Sequence, residues 1–274
     1  MLTHGPGRDS IDLGVITGSG LYSFPGEVRE QRVGTAFGEA VVQVGRVGRW
    51  WVGTISRHGP GHRFLSHQIQ YRANLAALSE IGARAVLATT MVGAVDPALA
   101  LGRPVLFDDS YFPENRLPNG EMCTMFTEPG HLERGHLILD EPFSPRLRRR
   151  VARSAEDLGL EPTVGGVYGH TNGPRFETRS EIRALGASGV TAVSLTCGPE
   201  VVLAGELELP YALVGFPVNY ATGVGDPETK EDLDRRLALS KDVLPKLLLR
   251  SIESLEEEDY AFDHGYVYRM EGGV

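Results

Sequence analysis

Four short segments carry side chains suited to handling an anion and a flat, polar ligand. The first is Gly18-Ser19-Gly20, at the end of an apolar run. Glycines let a backbone approach an anion closely, and the serine hydroxyl adds a donor. A plain tight turn accounts for the same three residues. The second is Arg57-His58-Gly59-Pro60-Gly61-His62. The planar fork of an arginine matches phosphate geometry, and His58 beside it offers a further donor. The alternative is a surface loop with incidental charge. The third is Gly173-Pro174-Arg175-Phe176-Glu177-Thr178. An aromatic ring on a rigid turn can stack on a flat base, although most aromatic residues serve the core. The fourth runs from Ser194-Leu195-Thr196 to Glu200, with Asn219-Tyr220-Ala221 one strand later. A buried asparagine must satisfy both ends of its amide, through a ligand or as a turn former at a strand end.

These segments need a scaffold that brings strand ends together. Leu13 to Thr17 reads as a buried strand running into the first segment. Val41 to Val47 and Trp50 to Ser56 read as a hairpin with its turn between Gly45 and Gly48. Helical spacing covers Gln68 to Ile81 and stops at Gly82. Arg84 to Thr90 is a second buried strand. A helix starts at Ser144-Pro145, presents Leu147, Val151, Ala155 and Leu158 on one face, and ends at Gly159. Thr178 with Glu181 forms a capping box for a helix ending near Gly186. Val190 to Thr196 is a strand, Gly198-Pro199 opens a helix, and Tyr211 to Val218 is another strand. Glu228 to Glu256 is a long helical region with a kink expected at Pro245. Residues 112–135 read as an excursion loop. This alternation predicts an α/β domain with a largely parallel or mixed sheet. Open sheets of this kind collect ligands at their strand ends.

The whole chain narrows the function classes. Its 274 residues are 41% apolar and show no linker or repeat. One domain over 1–274 is expected, with a core at about 12–255 and an acidic, aromatic tail at 259–274. A formal net charge of -9 without a long basic run argues against a nucleic-acid partner but allows a small anion held by local cations. Cys123 and Cys197 show no metal-type spacing, so no metal site is expected and a reduced, cytoplasmic setting is. No segment reads as a signal peptide or a membrane span.

The order Gly18-Ser19-Gly20, Arg57-His58-Gly59, Thr89-Thr90, Gly173-Pro174-Arg175-Phe176, Thr196 and Pro199-Glu200-Val201-Val202-Leu203-Ala204 resembles the methylthioadenosine/methylthioinosine phosphorylase family of trimeric purine nucleoside phosphorylases. Tyr71-Arg72-Ala73-Asn74 and Glu141-Pro142-Phe143 extend the match over roughly residues 12–255. The resemblance implies a single domain with a central mixed, partly barrel-like sheet flanked by helices, and a homotrimer acting in purine salvage. It implies phosphate held by Ser19, Arg57, His58, Thr90, Thr196 and the Met91 backbone. Phe176 would lie against the base, Asn219 and Ala221 would recognise it, and Leu195 would touch the sugar. His62, His136 from a neighbouring subunit, and Leu233 would surround the 5′ group. Leu195 stands where the family usually has Met, and Leu65-Ser66 stand where it usually has prolines, which bears on the shape of the sugar pocket.

The chemistry implied is displacement at the anomeric carbon, with phosphate as co-substrate and no cofactor. Arg57 and His58 orient the phosphate, and Asn219 serves the departing purine. Adenine-specific relatives have Asp at the positions of Asn219 and Ala221. An asparagine amide donates to a 6-carbonyl and accepts from a protonated N7, so a 6-oxopurine nucleoside of the 5′-methylthio type is the leading substrate. An adenine-type phosphorylase is the runner-up. A hydrolytic nucleosidase and a nucleoside-binding homologue without turnover are the other readings; the first of these would have no need of an anion clamp.

Overall fold

The computed structural model describes residues 10–18, 28–226 and 228–269, so Ser19 and Gly20 lie outside the described residues. In chain order the strands are β1 (Leu13–Thr17), β2 (Val28–Thr35), β3 (Gly38–Val47), β4 (Trp50–Ser56), β5 (Val86–Ala94), β6 (Val105–Leu106), β7 (Asp109–Tyr111), β8 (Gly135–Leu139), β9 (Thr163–Val164), β10 (Val167–His170), β11 (Val190–Ser194), β12 (Tyr211–Tyr220) and β13 (Gly265–Arg269). The helices are α1 (Tyr71–Glu80), α2 (Pro145–Asp157), α3 (Arg179–Ala187), α4 (Cys197–Glu206) and α5 (Lys230–Glu253). Eleven strands form one mixed sheet, and β8 pairs with β13 as a separate ribbon.

β5 is the branch point of the sheet. Along one edge it pairs in parallel with β12 from Val86 to Ala94. Along the other it meets two strands in succession. Gly14, Val15 and Ile16 of β1 pair with Val86, Leu87 and Ala88, and then β11 joins antiparallel at Gly93 and Ala94. Between Ala88 and Gly93 this edge has no strand pairing among the described residues. The sheet therefore forks, with β4, β3 and β2 beyond β1 on one branch and β10 and β7 beyond β11 on the other. The large mixed sheet flanked by helices is the architecture that the resemblance implied.

The central strands are buried on both faces, as their runs of Val, Ile, Leu and Ala require. α1 packs on β3 and α4, and α2 packs on α5 and β12. Ser144 caps α2, its hydroxyl accepting from the Leu147 N–H, and Thr178 with Glu181 forms the expected capping box on α3. Thr229 caps α5, which runs through Pro245 without ending. No helix among the described residues is long and apolar enough to cross a membrane.

Some boundaries differ from expectation. The first helix begins at Tyr71, because Ser66–Gln68 form a short 3-10 turn instead. The strand from Val190 stops at Ser194, because Thr196 becomes the N-cap of α4. β2 was not expected. Its sequence, Val-Arg-Glu-Gln-Arg-Val-Gly-Thr, is polar and mostly exposed, as an edge strand's is. The tail supplies β13, which pairs with β8 and sets Tyr268 opposite His136.

Gly215 sits at the centre of β12, opposite Thr90 on one side and Val105 on the other. A Cβ there would lie 2.6 Å from Phe107 Cε2 and 2.7 Å from Val105 Cγ1. Gly215→Ala is therefore expected to destabilise the fold by about 1–3 kcal/mol through overpacking. Urea denaturation would show this as a lower midpoint at unchanged slope.

Candidate active site

Three of the predicted anion ligands, Arg57, Thr90 and Thr196, lie at the fork in the sheet. Arg57 follows the end of β4, and its backbone N–H donates to the Thr17 carbonyl at the end of β1. Its side chain enters the gap beside β5, where Nη1 donates to the Thr89 carbonyl at 2.5 Å, a place a strand partner would otherwise fill. Gly18 makes the approach possible, since a Cβ there would lie 2.9 Å from Arg57 Nη1. The first glycine of the Gly-Ser-Gly turn thus makes room for the arginine itself. The sequence alone offers two readings of this glycine, a close approach to an anion or a plain tight turn, and neither includes this role.

Arg57 is 1% exposed. A charge so buried needs a partner, and Glu200 on α4 provides it. Nε donates to Oε1 at 2.6 Å and Nη2 to Oε2 at 2.9 Å. The Tyr211 hydroxyl, from β12, donates to the same Oε2 at 2.7 Å. Burial, and then the Glu200 charge, push the Tyr211 phenol well above its usual range, so it remains a donor. Of the five N–H bonds of Arg57, Glu200 and Thr89 take three, and among the described residues no hydrogen bond uses the remaining one on each terminal nitrogen.

Three hydroxyls from three elements converge next to this pair. Thr90 Oγ1 on β5 lies 3.2 Å from Ser194 Oγ at the end of β11 and 3.3 Å from Thr196 Oγ1. Ser194 also lies 2.7 Å from the Tyr168 hydroxyl, which accepts from the Cys197 N–H at the start of α4. Thr196 is the N-cap residue of α4, yet its side chain makes no capping bond, so its hydroxyl is available to the cluster. Met91 follows Thr90 and is half-buried against the core. Ser19 lies outside the described residues.

His58 is buried, and its Nδ1 lies 2.9 Å from the Phe64 carbonyl. Its ring stacks on His62, with centroids 4.2 Å apart. Burial, and then the charge of Arg57, lower its pKa to about 4, so it is neutral at pH 7.

Asn219 is set by a bulge. β12 and β5 keep register from Tyr211 to Pro217 and then shift, so that Asn219, one residue later than regular pairing would give, lies opposite Gly93. Its Nδ2 donates to the Tyr220 carbonyl at 2.7 Å. A carbonyl only accepts, so this contact fixes which end of the amide is which, and among the described residues no hydrogen bond uses the second N–H or the oxygen. Ala221 is buried with Val95, Ile182, Leu185, Val190 and Val193.

Gly173 joins the remaining segments. A Cβ there would lie 2.6 Å from Ser66 Oγ and 3.0 Å from Leu195 Cδ1, so both departures from the family pattern pack on the same glycine. Phe176, three residues on, is 76% exposed, which rules out the core role that its residue type also allowed. Arg175 is engaged by Glu181 at 2.7 Å and serves the start of α3. Leu233 lies in the first turn of α5 and is partly buried against the core cluster that also takes Met91. His136 is exposed on β8 and makes no hydrogen bond with the cluster around Arg57.

Sequence reasoning placed Ser194 and Glu200 within a candidate segment without a specific role for either, and gave no role to Tyr211 or Tyr168. Glu200 had a signal: it is the one charge in an otherwise apolar turn, Gly198-Pro199-Glu200-Val201-Val202, and such a charge must be paired. The tyrosines had none, because their hydroxyl partners lie on other elements.

A second buried histidine, His170, has its pKa lowered to about 3, mainly by burial. In the unfolded chain both histidines titrate near 6.5. As pH falls below that value the unfolded state takes up protons first, so stability should fall from about pH 6.5 down to the folded values near 4 and 3. Melting temperature measured from pH 7 to pH 3 should drop accordingly. His170→Asn, which does not titrate, should flatten that slope.

Residues 12–253 match the phosphorylase superfamily. The chain is 37% identical over 254 residues to a 6-oxopurine nucleoside phosphorylase of Pyrococcus furiosus, a match covering 90% of this chain and 94% of that one. It is 38% identical over 247 residues to a probable S-methyl-5′-thioinosine phosphorylase of Methanopyrus kandleri, covering 88% and 92%. The structure of methylthioadenosine phosphorylase from Schistosoma mansoni in complex with adenine superposes with a TM-score of 0.77 at 26% identity, covering 92% and 95%. By these matches the chain belongs to the phosphorylase superfamily.

Proposed function

We propose that the chain catalyses phosphorolysis of a purine nucleoside, preferring a 6-oxopurine base and a 5′-methylthio sugar. It would release the free purine and a ribose 1-phosphate derivative. The observation that carries this reading is the cluster in the fork, where the buried Arg57 reaches the Thr89 carbonyl and the hydroxyls of the next residue, Thr90, and of Thr196 lie 3.3 Å apart. Such donors position phosphate against the anomeric carbon and neutralise part of its charge. As the bond to the purine stretches, the sugar becomes cation-like and needs no protein nucleophile. Ser19 would add a hydroxyl to the phosphate, and Leu195 would wall the sugar. Inorganic phosphate is the co-substrate, and the reading calls for no metal or organic cofactor. Phe176, exposed on its turn, would close over the base. The full site includes His136 from a neighbouring copy in a homotrimer beside His62 and Leu233. A role in purine salvage in the cytoplasm fits this chemistry.

Asn219 carries the base preference. Its free N–H suits a 6-carbonyl, and its oxygen suits a protonated N7. Against adenine that N–H would face another donor, and a buried polar group left unpaired costs about 1–3 kcal/mol. The apolar surroundings of Ala221 agree, since a carboxylate there would be buried among valines, isoleucine and leucine. The relatives from Pyrococcus and Methanopyrus, both named for 6-oxopurine nucleosides, support the same choice.

A panel of adenosine, inosine, guanosine and their 5′-methylthio forms, assayed with and without phosphate, tests the proposal. Turnover should require phosphate, and methylthioinosine should exceed methylthioadenosine by about tenfold or more in kcat/KM. Asn219→Asp should shift the ratio toward adenine. Turnover that is equal without phosphate would overturn the reaction, and a preference for methylthioadenosine would overturn the base assignment.

A further inference from the structure

We propose that His58 binds phosphate as a hydrogen-bond acceptor, its Nε2 receiving the P–OH of hydrogen phosphate, so that the site selects an anion that still carries a proton. This rests on the phosphate site proposed above and concerns how that site reads its anion. The sequence alone had cast His58 as a donor. The geometry assigns the opposite role. The Phe64 carbonyl, 2.9 Å from Nδ1, can only accept, so Nδ1 carries the hydrogen. In a neutral ring Nε2 is then a bare lone pair.

The surroundings keep the ring neutral. Arg57 precedes it in the chain and His62 stacks on it, and both oppose a second proton. Glu200 favours one, but its two oxygens are held by Arg57 and Tyr211. The other groups of the proposed cradle are the N–H bonds of Arg57 and of the Met91 backbone, which only donate, and hydroxyls, which do both. At neutral pH hydrogen phosphate has three bare oxygens and one P–OH. The bare oxygens suit the donors and the P–OH suits His58. This arrangement fixes which oxygen bears the hydrogen and leaves a bare one for the sugar. No covalent bond to His58 forms or breaks. Sulfate has no hydrogen at this pH and would set an oxygen lone pair against Nε2, whereas arsenate carries one as phosphate does.

Two measurements test this without using turnover. Calorimetric titration at pH 7.5 should show arsenate binding like phosphate and sulfate at least about tenfold more weakly. His58→Gln, whose amide can turn either end to the ligand, should bring the sulfate and phosphate affinities together. Long-range 1H–15N spectra of the wild-type phosphate complex should show the His58 ring as the Nδ1–H tautomer, a readout that holds even if the variant fails to fold. Equal phosphate and sulfate affinity in the wild type, or a hydrogen on Nε2 before phosphate is added, would overturn the assignment while leaving phosphorolysis standing. Failure to bind phosphate at all would overturn both.

Discussion

A guanidinium with 1% exposure can persist only where its charge and N–H groups are met, and much of the described site follows from how Arg57 is met. Glu200 meets it from α4 with two bonds, Tyr211 braces Glu200 from β12, and the Thr89 carbonyl takes a third N–H from β5. Three elements thus fix one side chain. Removing a partner from such a group costs more than the bond itself, because the remaining charge stays buried. What the arrangement secures is a cation whose two spare N–H bonds have a set direction. Fixed donors of this kind stabilise developing charge without reorganising during the reaction.

The sheet supplies the place. In a regular sheet the Thr89 carbonyl would belong to a neighbouring strand. Here β1 leaves β5 after Ala88 and β11 arrives at Gly93. The interval opens a backbone carbonyl to Arg57 and sets the Thr90 hydroxyl beside those of Ser194 and Thr196. The bulge that turns Asn219 lies across from the same interval, on the other edge of β5. The proposed anion ligands and the proposed base-reading amide are therefore set by two irregularities on either side of one strand, and a small backbone change in β5 would disturb both.

Much of this was legible in the sequence because it is local. Ser144-Pro145 and Thr178 with Glu181 mark helix starts through bonds within four residues, and the apolar runs at Leu13 and Tyr211 mark buried strands. Arg57 and Asn219 stand out by residue type and position, and Thr90 and Thr196 by motif order. Non-local features were not legible. No spacing rule links Arg57 to Glu200, 143 residues later, or shows that Gly18 serves the arginine's approach. The tautomer of His58 depends on a carbonyl six residues ahead, which only the turn at Gly59 brings back. β2 was missed because a polar edge strand lacks the alternation that reveals a half-buried one.

The central claim is that Glu200 acts on the reaction through Arg57 and so through phosphate. Glu200→Gln keeps the volume of the side chain and removes its charge. Steady-state kinetics with each substrate varied in turn, on protein shown to be folded, tests the claim most directly. The account predicts that the KM for phosphate rises by about tenfold or more while the KM for the nucleoside stays within about twofold. An unchanged phosphate KM, or an equal rise in both, would contradict it.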